Sequence, residues 1–295
     1  RLPQRKTLRE RGAHAAWVRA GGAAQKQCRE DEQHLQRAFR LRLTHPHRAD
    51  ALECLSVTEG VEHLNEGRRE ALRILYRARS MLGWRPFTAA RPNRAHRSLA
   101  RLQAHGALDE LITQNVDGLH QRAGSRSVLD LHGRMDAVRC LACGAHEARA
   151  AFQARLERAN PHWVEVGVIE LRADSDAQLS TADFSDFVVP SCGACGGGPV
   201  KPDVVFFGGA IEPRVVALAA ELVEACDALL VVGSTCSTYS AFRLVQRAVA
   251  RAVPVGLLSL GPTRMHRAGT PLALETDVAC GPALEHFAER LCGTP

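Results

Sequence analysis

Four short runs of this chain are apolar on both faces and stop at turn or polar residues. Residues 108–113 end at Gln114-Asn115, 204–207 at Gly208-Gly209, 228–232 at Gly233-Ser234 and 253–260 at Gly261-Pro262. Runs without alternation fit strands covered on both faces, as in parallel sheets. Segments with helical periodicity lie between them. Residues 213–225 open with Pro213 at the first helical position, where a missing N–H costs nothing. Residues 240–252 carry apolar positions at helical spacing behind Ser240, a candidate cap. Residues 95–105 are amphipathic and precede Gly106, a candidate C-cap, and 282–291 read as a terminal helix. Alternating strands and helices predict right-handed crossovers and an α/β fold with a Rossmann-like, doubly wound parallel sheet. Ligands of such sheets sit beyond the carboxyl ends of the strands. The loops 114–120, 233–237 and 259–261 are therefore expected to line one crevice.

The pattern separates three stretches. Residues 1–70 are basic and polar, 71–132 read as helix, helix, strand and loop, and the remainder alternates strands and helices around a cysteine-rich insertion. Rossmann-like parts are expected over 107–132 and 200–295, with a small domain over 133–199 between them. At 295 residues and 45% hydrophobic content the chain can bury one large core and a satellite. It holds no apolar run of about 18 residues, so no membrane helix is expected. No apolar leader segment with a small-residue cleavage site opens it. The net charge is +6, and much of the excess lies in the first fifty residues. Without a helix-turn-helix or RNA-recognition pattern, that segment reads as solvated rather than as a nucleic-acid surface. No serine precedes Ser56, unlike the serine-rich composition of a transit peptide.

Candidate chemistry changes the picture at three places. Of ten cysteines, Cys28, Cys54, Cys226, Cys236, Cys280 and Cys292 are scattered. The others form two similar knuckles, Cys140-Leu-Ala-Cys143-Gly144 and Cys192-Gly-Ala-Cys195-Gly196. Two thiolates on each tight turn supply the four sulfurs of a tetrahedral Zn²⁺ site. Two unrelated redox or buried pairs are the alternative. A catalytic zinc keeps an open ligand position and a four-cysteine site has none, so one structural zinc is expected. The loop Thr-Gln-Asn-Val-Asp-Gly-Leu-His (113–120) gathers amides, a carboxylate and an imidazole at a strand end. Val-Leu-Asp-Leu-His-Gly (128–133) places His132 after an apolar stretch, just before the first knuckle.

In this order these segments, with Lys-Pro-Asp-Val-Val-Phe-Phe-Gly (201–208) and Val-Val-Gly-Ser-Thr (231–235), resemble the sirtuin family from about residue 71 to the end. Gly83-Trp84, Pro92-Asn93-Arg94-Ala95-His96, Val205-Phe-Phe-Gly208 and Gly261-Pro-Thr-Arg264 look most like its mitochondrial class II branch, the sirtuin four type. The resemblance implies an NAD-dependent protein-lysine deacylase acting on acyl-lysine proteins, with ADP-ribosyl transfer as a variant and the mitochondrial matrix as its setting. It implies that Gln114, Asn115, Val116 and Asp117 line the nicotinamide and ribose pocket, and that His132 is the general base. Val205 would offer its carbonyl to the substrate lysine nitrogen, and Phe207 would wall the acyl channel. Gly233, Ser234, Thr235, Ser259, Leu260, Gly261 and Cys280 would hold the adenosine side of NAD. There are departures. Ser259 stands where the family has asparagine, and Gly209 where an acidic residue is usual. Cys236-Ser-Thr-Tyr239 is more polar than the family's peptide-pairing strand. The Gly-Ala-Gly-hydroxyl loop that opens sirtuins is not found in residues 1–90, where Gly21-Gly22-Ala23-Ala24 has no strand before it. A catalytically impaired zinc protein acting as a binding module is the competing expectation.

Overall fold

Parallel strand pairing recurs in both compact units of the described chain. The computed structural model describes residues 66–166, 168–171, 177–179, 184–206 and 209–293. They fall into two compact units, 66–216 and 217–293.

The first unit opens with helices α1 (Glu66–Ala89) and α2 (Arg94–Ala104). Asn93 caps α2: its side chain accepts from the His96 N–H, while His96 Nδ1 accepts from the Asn93 N–H. This is a capping box with histidine in place of the usual Glu or Gln. Gly106, at φ +71°, closes the helix in a conformation that costs glycine little. Strand β1 (Leu111–Thr113) then pairs in parallel with β2 (Val128–Asp130), across the short helix α3 (Leu119–Arg122).

Strand β3 (Gly133–Cys140) follows and pairs antiparallel with both β4 (His146–Ala148) and β7 (Val200–Val204). Helix α4 (Arg149–Ala159) packs against this sheet, and β5 (Val168–Leu171) and β6 (Ala177–Leu179) form a separate antiparallel pair. Met81, Val138, Phe152, Leu156, Trp163, Phe187, Cys192 and Val200 make a core here. Arg149 is almost wholly buried in the same unit, with its guanidinium over the Trp84 ring. It donates to Gln153 Oε1 (2.6 Å) and the Ser80 carbonyl (3.2 Å), tying α4 to α1.

The second unit carries three parallel strands in the order β10 (Leu274–Thr276), β9 (Val255–Leu258), β8 (Leu229–Val232). Helix α6 (Tyr239–Ala250) crosses from β8 to β9 and buries Ala241, Phe242, Leu244, Val245 and Ala248. Helix α5 (Pro213–Ala225) precedes β8, the short α7 (Arg264–Arg267) precedes β10, and α8 (Cys280–Cys292) follows it.

The fold is α/β with parallel strands and a four-cysteine module, as the sequence predicts. Two local expectations fail. The strand expected at 204–207 lies at Val200–Val204, because its partner β3 sets the pairing through Cys140↔Val200 and Gly133↔Val204. Ser240 does not cap α6; Thr238 holds the N-cap position and makes no side-chain cap bond. None of the described helices is long and apolar enough to cross a membrane.

Candidate active site and metal centre

The parallel pair β1–β2 brings two segments of different chemistry to one edge. Thr113 pairs with Asp130, so Gln114 and Leu131 leave the two strands side by side, and the Leu131 N–H donates to the Thr113 carbonyl (2.9 Å). One residue on, His132 Nδ1 meets the Gln114 carbonyl at 3.1 Å. A carbonyl only accepts, so Nδ1 carries the proton and the lone pair lies on Nε2. The loop after β1 is held from within. Thr113 Oγ1 accepts from the Asn115 N–H (3.1 Å), Asp117 Oδ1 from the Leu119 N–H (2.9 Å), and the Val116 carbonyl from the Met135 N–H (2.9 Å). Asn115 is exposed, while Gln114, Val116 and Asp117 are half-buried.

From His132 the chain enters β3 through Gly133, at φ +78°. A Cβ there would collide with the Asp203 carbonyl oxygen, so only glycine permits this approach of β3 to β7. The approach lets the Val205 N–H donate to the His132 carbonyl (2.8 Å). Val205 thus stands beside His132. Phe207 lies outside the described residues.

His120 was the other imidazole within reach of this loop. Its ring lies 4.6 Å from that of His96, and its buried Nδ1 has no hydrogen-bond partner among the described residues. Burial, then the neighbouring His96, pulls His120 down to about 4. Such an imidazole is a weak base at neutral pH. The sign of the pH effect follows. The unfolded chain protonates His120 below its ordinary 6.5, whereas the folded chain resists until about 4. Stability therefore falls as pH drops through that window. Urea unfolding midpoints should fall more steeply between pH 6.5 and 4.5 in the parent than in His120→Asn. Equal slopes would assign the effect elsewhere.

The metal centre stands at the other end of β3. The Sγ atoms of Cys140, Cys143, Cys192 and Cys195 all lie within 4.8 Å of one another. Cys140–Cys195 and Cys143–Cys192 are each 3.8 Å apart. A tetrahedron of sulfurs at about 2.3 Å from a zinc has edges of about 3.8 Å, so the four fit the ion. Gly144 and Gly196 take φ of +73° and +77° and close the knuckles. Gly198 is buried where a Cβ would strike the Cys140 sulfur. Backbone N–H groups of Ala142 and Ala194 point at Cys140 and Cys192 (3.4 and 3.3 Å), and those of Gly197 and Gly198 hold the Cys195 thiol down to about 6. At Cys140 and Cys195 such donors favour the thiolate, the form that binds metal.

In the second unit the remaining predicted residues share one end of the parallel sheet. Val232 pairs with Leu258, so 233–235 and 259–261 leave adjacent strands together, and the Gly233 N–H donates to the Leu258 carbonyl (2.8 Å). A Cβ on Gly233 would come within 3.4 Å of Cys280 Sγ, which places the start of α8 beside the same loop. Ser234 Oγ accepts from the Cys236 N–H (3.1 Å), and the Gly261 N–H donates to Asp277 (2.7 Å). Ser259 is buried, its N–H on the Thr276 carbonyl, and Leu260 is exposed. Sequence reasoning gave no role to Arg264, which fastens this loop. Its N–H donates to the Thr235 carbonyl (2.9 Å), and its guanidinium donates to the Ser237 carbonyl (3.0 Å). Nor did it give one to Gly198; the run of glycines behind Cys195 was the available signal.

The described residues thus give an α/β fold with parallel strands, a histidine at a strand end and a four-sulfur centre that fits zinc. Comparison narrows the reading. Residues 48–240 match the Sir2 family. The NAD-dependent protein deacetylase 2 of Bradyrhizobium diazoefficiens is 50% identical over 215 residues, covering 73% of this chain and 77% of that protein. The NAD-dependent protein deacetylase of Bordetella bronchiseptica is 50% identical over 212 residues, 72% and 76% of the two chains. A solved structure of Sir2 bound to acetylated peptide superposes with TM-score 0.56 at 26% identity, covering 71% of this chain and 74% of that one. This chain belongs to the Sir2 (sirtuin) family. The mitochondrial expectation is overturned, because these relatives are bacterial and bacteria have no such compartment.

Proposed function

We propose that this protein removes acyl groups from protein lysines with consumption of NAD, releasing nicotinamide and forming O-acyl-ADP-ribose. The observation that carries the reading is the fastening of the His132 ring to the Gln114 carbonyl at adjacent strand ends, in a chain of the Sir2 family. NAD supplies a ribose carbon that becomes electrophilic as nicotinamide departs. Gln114, Asn115, Val116 and Asp117 bind the nicotinamide and ribose side. His132, with its Nε2 lone pair, takes the proton of a ribose hydroxyl as general base. Val205 accepts the amide N–H of the acyl-lysine on its carbonyl, and Phe207 walls the acyl channel. Gly233, Ser234, Thr235, Ser259, Leu260, Gly261 and Cys280 hold the adenosine side, at the strand ends where such sheets bind nucleotides. The zinc, on Cys140, Cys143, Cys192 and Cys195, organises the module 133–199. Acyl-lysine proteins are the substrates. Within the family we place the chain beside the class II, sirtuin four type, on Gly83-Trp84, Pro92 to His96 and Gly261 to Arg264.

A second reading is favoured by one observation: residues 1–90 hold no Gly-Ala-Gly cofactor loop. It makes the chain a binding module of impaired catalysis. Loss of a backbone cradle at a helix N-terminus removes a few kcal/mol, or about a hundredfold in affinity. Nicotinamide release should require both NAD and an acetyl-lysine peptide, with a KM for NAD about a hundredfold above that of a relative bearing the loop. Absence of release at saturating NAD would favour the binding module, and an ordinary KM would show that other residues supply the cradle.

A further inference from the structure

Lys201 turns its ammonium back along its own strand. It donates to the carbonyl oxygens of Pro202 (3.1 Å) and Val204 (2.6 Å) and lies 5.1 Å from the centre of the Phe206 ring. Tyr76 meets the same ring edge-on at 5.0 Å. The Phe206 carbonyl accepts from the Gly209 N–H (2.9 Å), and the Val205 N–H is spent on His132. The carbonyls on either side of Val205, and its own N–H, are thus all engaged. A half-buried ammonium is held here at a desolvation cost that an apolar residue packed on Phe206 would not incur. Burial, with the charges of Arg139 and Arg77, pulls it down to about 8 against the opposing pull of Asp203 and Glu212.

We propose that Lys201 is a positioning residue for the acyl-lysine substrate: it pins the end of β7 so that the Val205 carbonyl faces the amide N–H of the acyl-lysine. The inference rests on the reading of Val205 given above. Lys201 acts through the backbone and touches no reacting atom, so its loss should weaken peptide binding and leave the KM for NAD unchanged. A charge-assisted hydrogen bond of this kind corresponds to about a tenfold effect.

The test is calorimetric binding, without NAD, of an acetyl-lysine peptide and of its ester isostere, in which oxygen replaces the ε-nitrogen and no N–H remains. The zinc-loaded parent should prefer the amide about tenfold. Lys201→Met should lose that preference and leave ester binding unchanged, and Lys201→Arg should restore part of it. A parent without preference overturns the Val205 reading and this inference with it. A preference kept in Lys201→Met overturns this inference alone. If Lys201→Met fails to fold, judged by zinc content and melting, Lys201→Gln decides: it should keep ester binding and lose most of the amide preference, and a preference kept in full overturns the proposal.

Discussion

Replacing His132 by alanine is expected to lower deacylation by about a hundred- to ten-thousandfold, the usual effect of removing a general base. The fold gives the substitution a clean readout. The His132 ring touches the Gln114 carbonyl, whereas the strand contact to Val205 runs through the His132 backbone, which alanine keeps. Zinc content and melting temperature should therefore match the parent. His120 offers no rescue, since burial beside His96 holds it near 4 and leaves its lone pair a poor proton acceptor at neutral pH. Steady-state kinetics at saturating NAD and peptide would measure the effect. Retention of most of the activity would remove His132 from the mechanism.

The second large effect concerns stability. Purified protein is expected to carry about one zinc per chain, and Cys192→Ser to lose it and unfold the module around it. Structural zinc sites of this type contribute about 10–16 kcal/mol of apparent binding energy, which is folding energy for the segment that makes the site. Cys192 is buried in the same core as Trp163, Phe187 and Val200. Trp163 stacks on Phe184 and meets Phe187 edge-on, so its fluorescence reports on that core directly. Metal analysis and fluorescence should change together. Full zinc retention in Cys192→Ser would reject the ligand assignment.

Much of this was legible in the sequence because it is local. The helix Pro213–Ala225 and the strand Leu229–Val232 follow from apolar spacing, and the zinc ligands from two identical spacings each ending in glycine. What escaped is set by distant partners. Lys201-Pro202-Asp203 reads as loop by composition, since proline and aspartate are poor strand formers. It becomes strand because β3 lies against it, joined at its flank by an ion pair from Asp203 to Arg139 and a contact to His146 (3.4 Å). β3 itself, Gly133–Cys140, mixes charged and apolar residues and gives only a weak signal. The catalytic assignment of His132 likewise needed the resemblance, because a single histidine after an apolar run is more often structural. Only the register of β1 against β2 places its ring on the Gln114 carbonyl.

Antiparallel neighbours usually inherit their alignment from the short turn that joins them. β3 and β7 are separated in sequence by the whole cysteine-rich insertion, and no short turn exists to align them. The four sulfurs take over that duty. They close the pair just beyond Cys140↔Val200, where the Leu141 N–H also meets the Pro199 carbonyl (2.9 Å). A slip of one residue would turn every side chain of β7 to the opposite face and carry Val205 away from His132. With alignment held by the four cysteines, only the parts of the intervening segment outside β4, α4 and the core residues Phe152, Leu156, Trp163 and Phe187 are free to vary. Insertions or deletions there can reshape the outer surface of the module while the strand ends at His132 and Val205 keep their places.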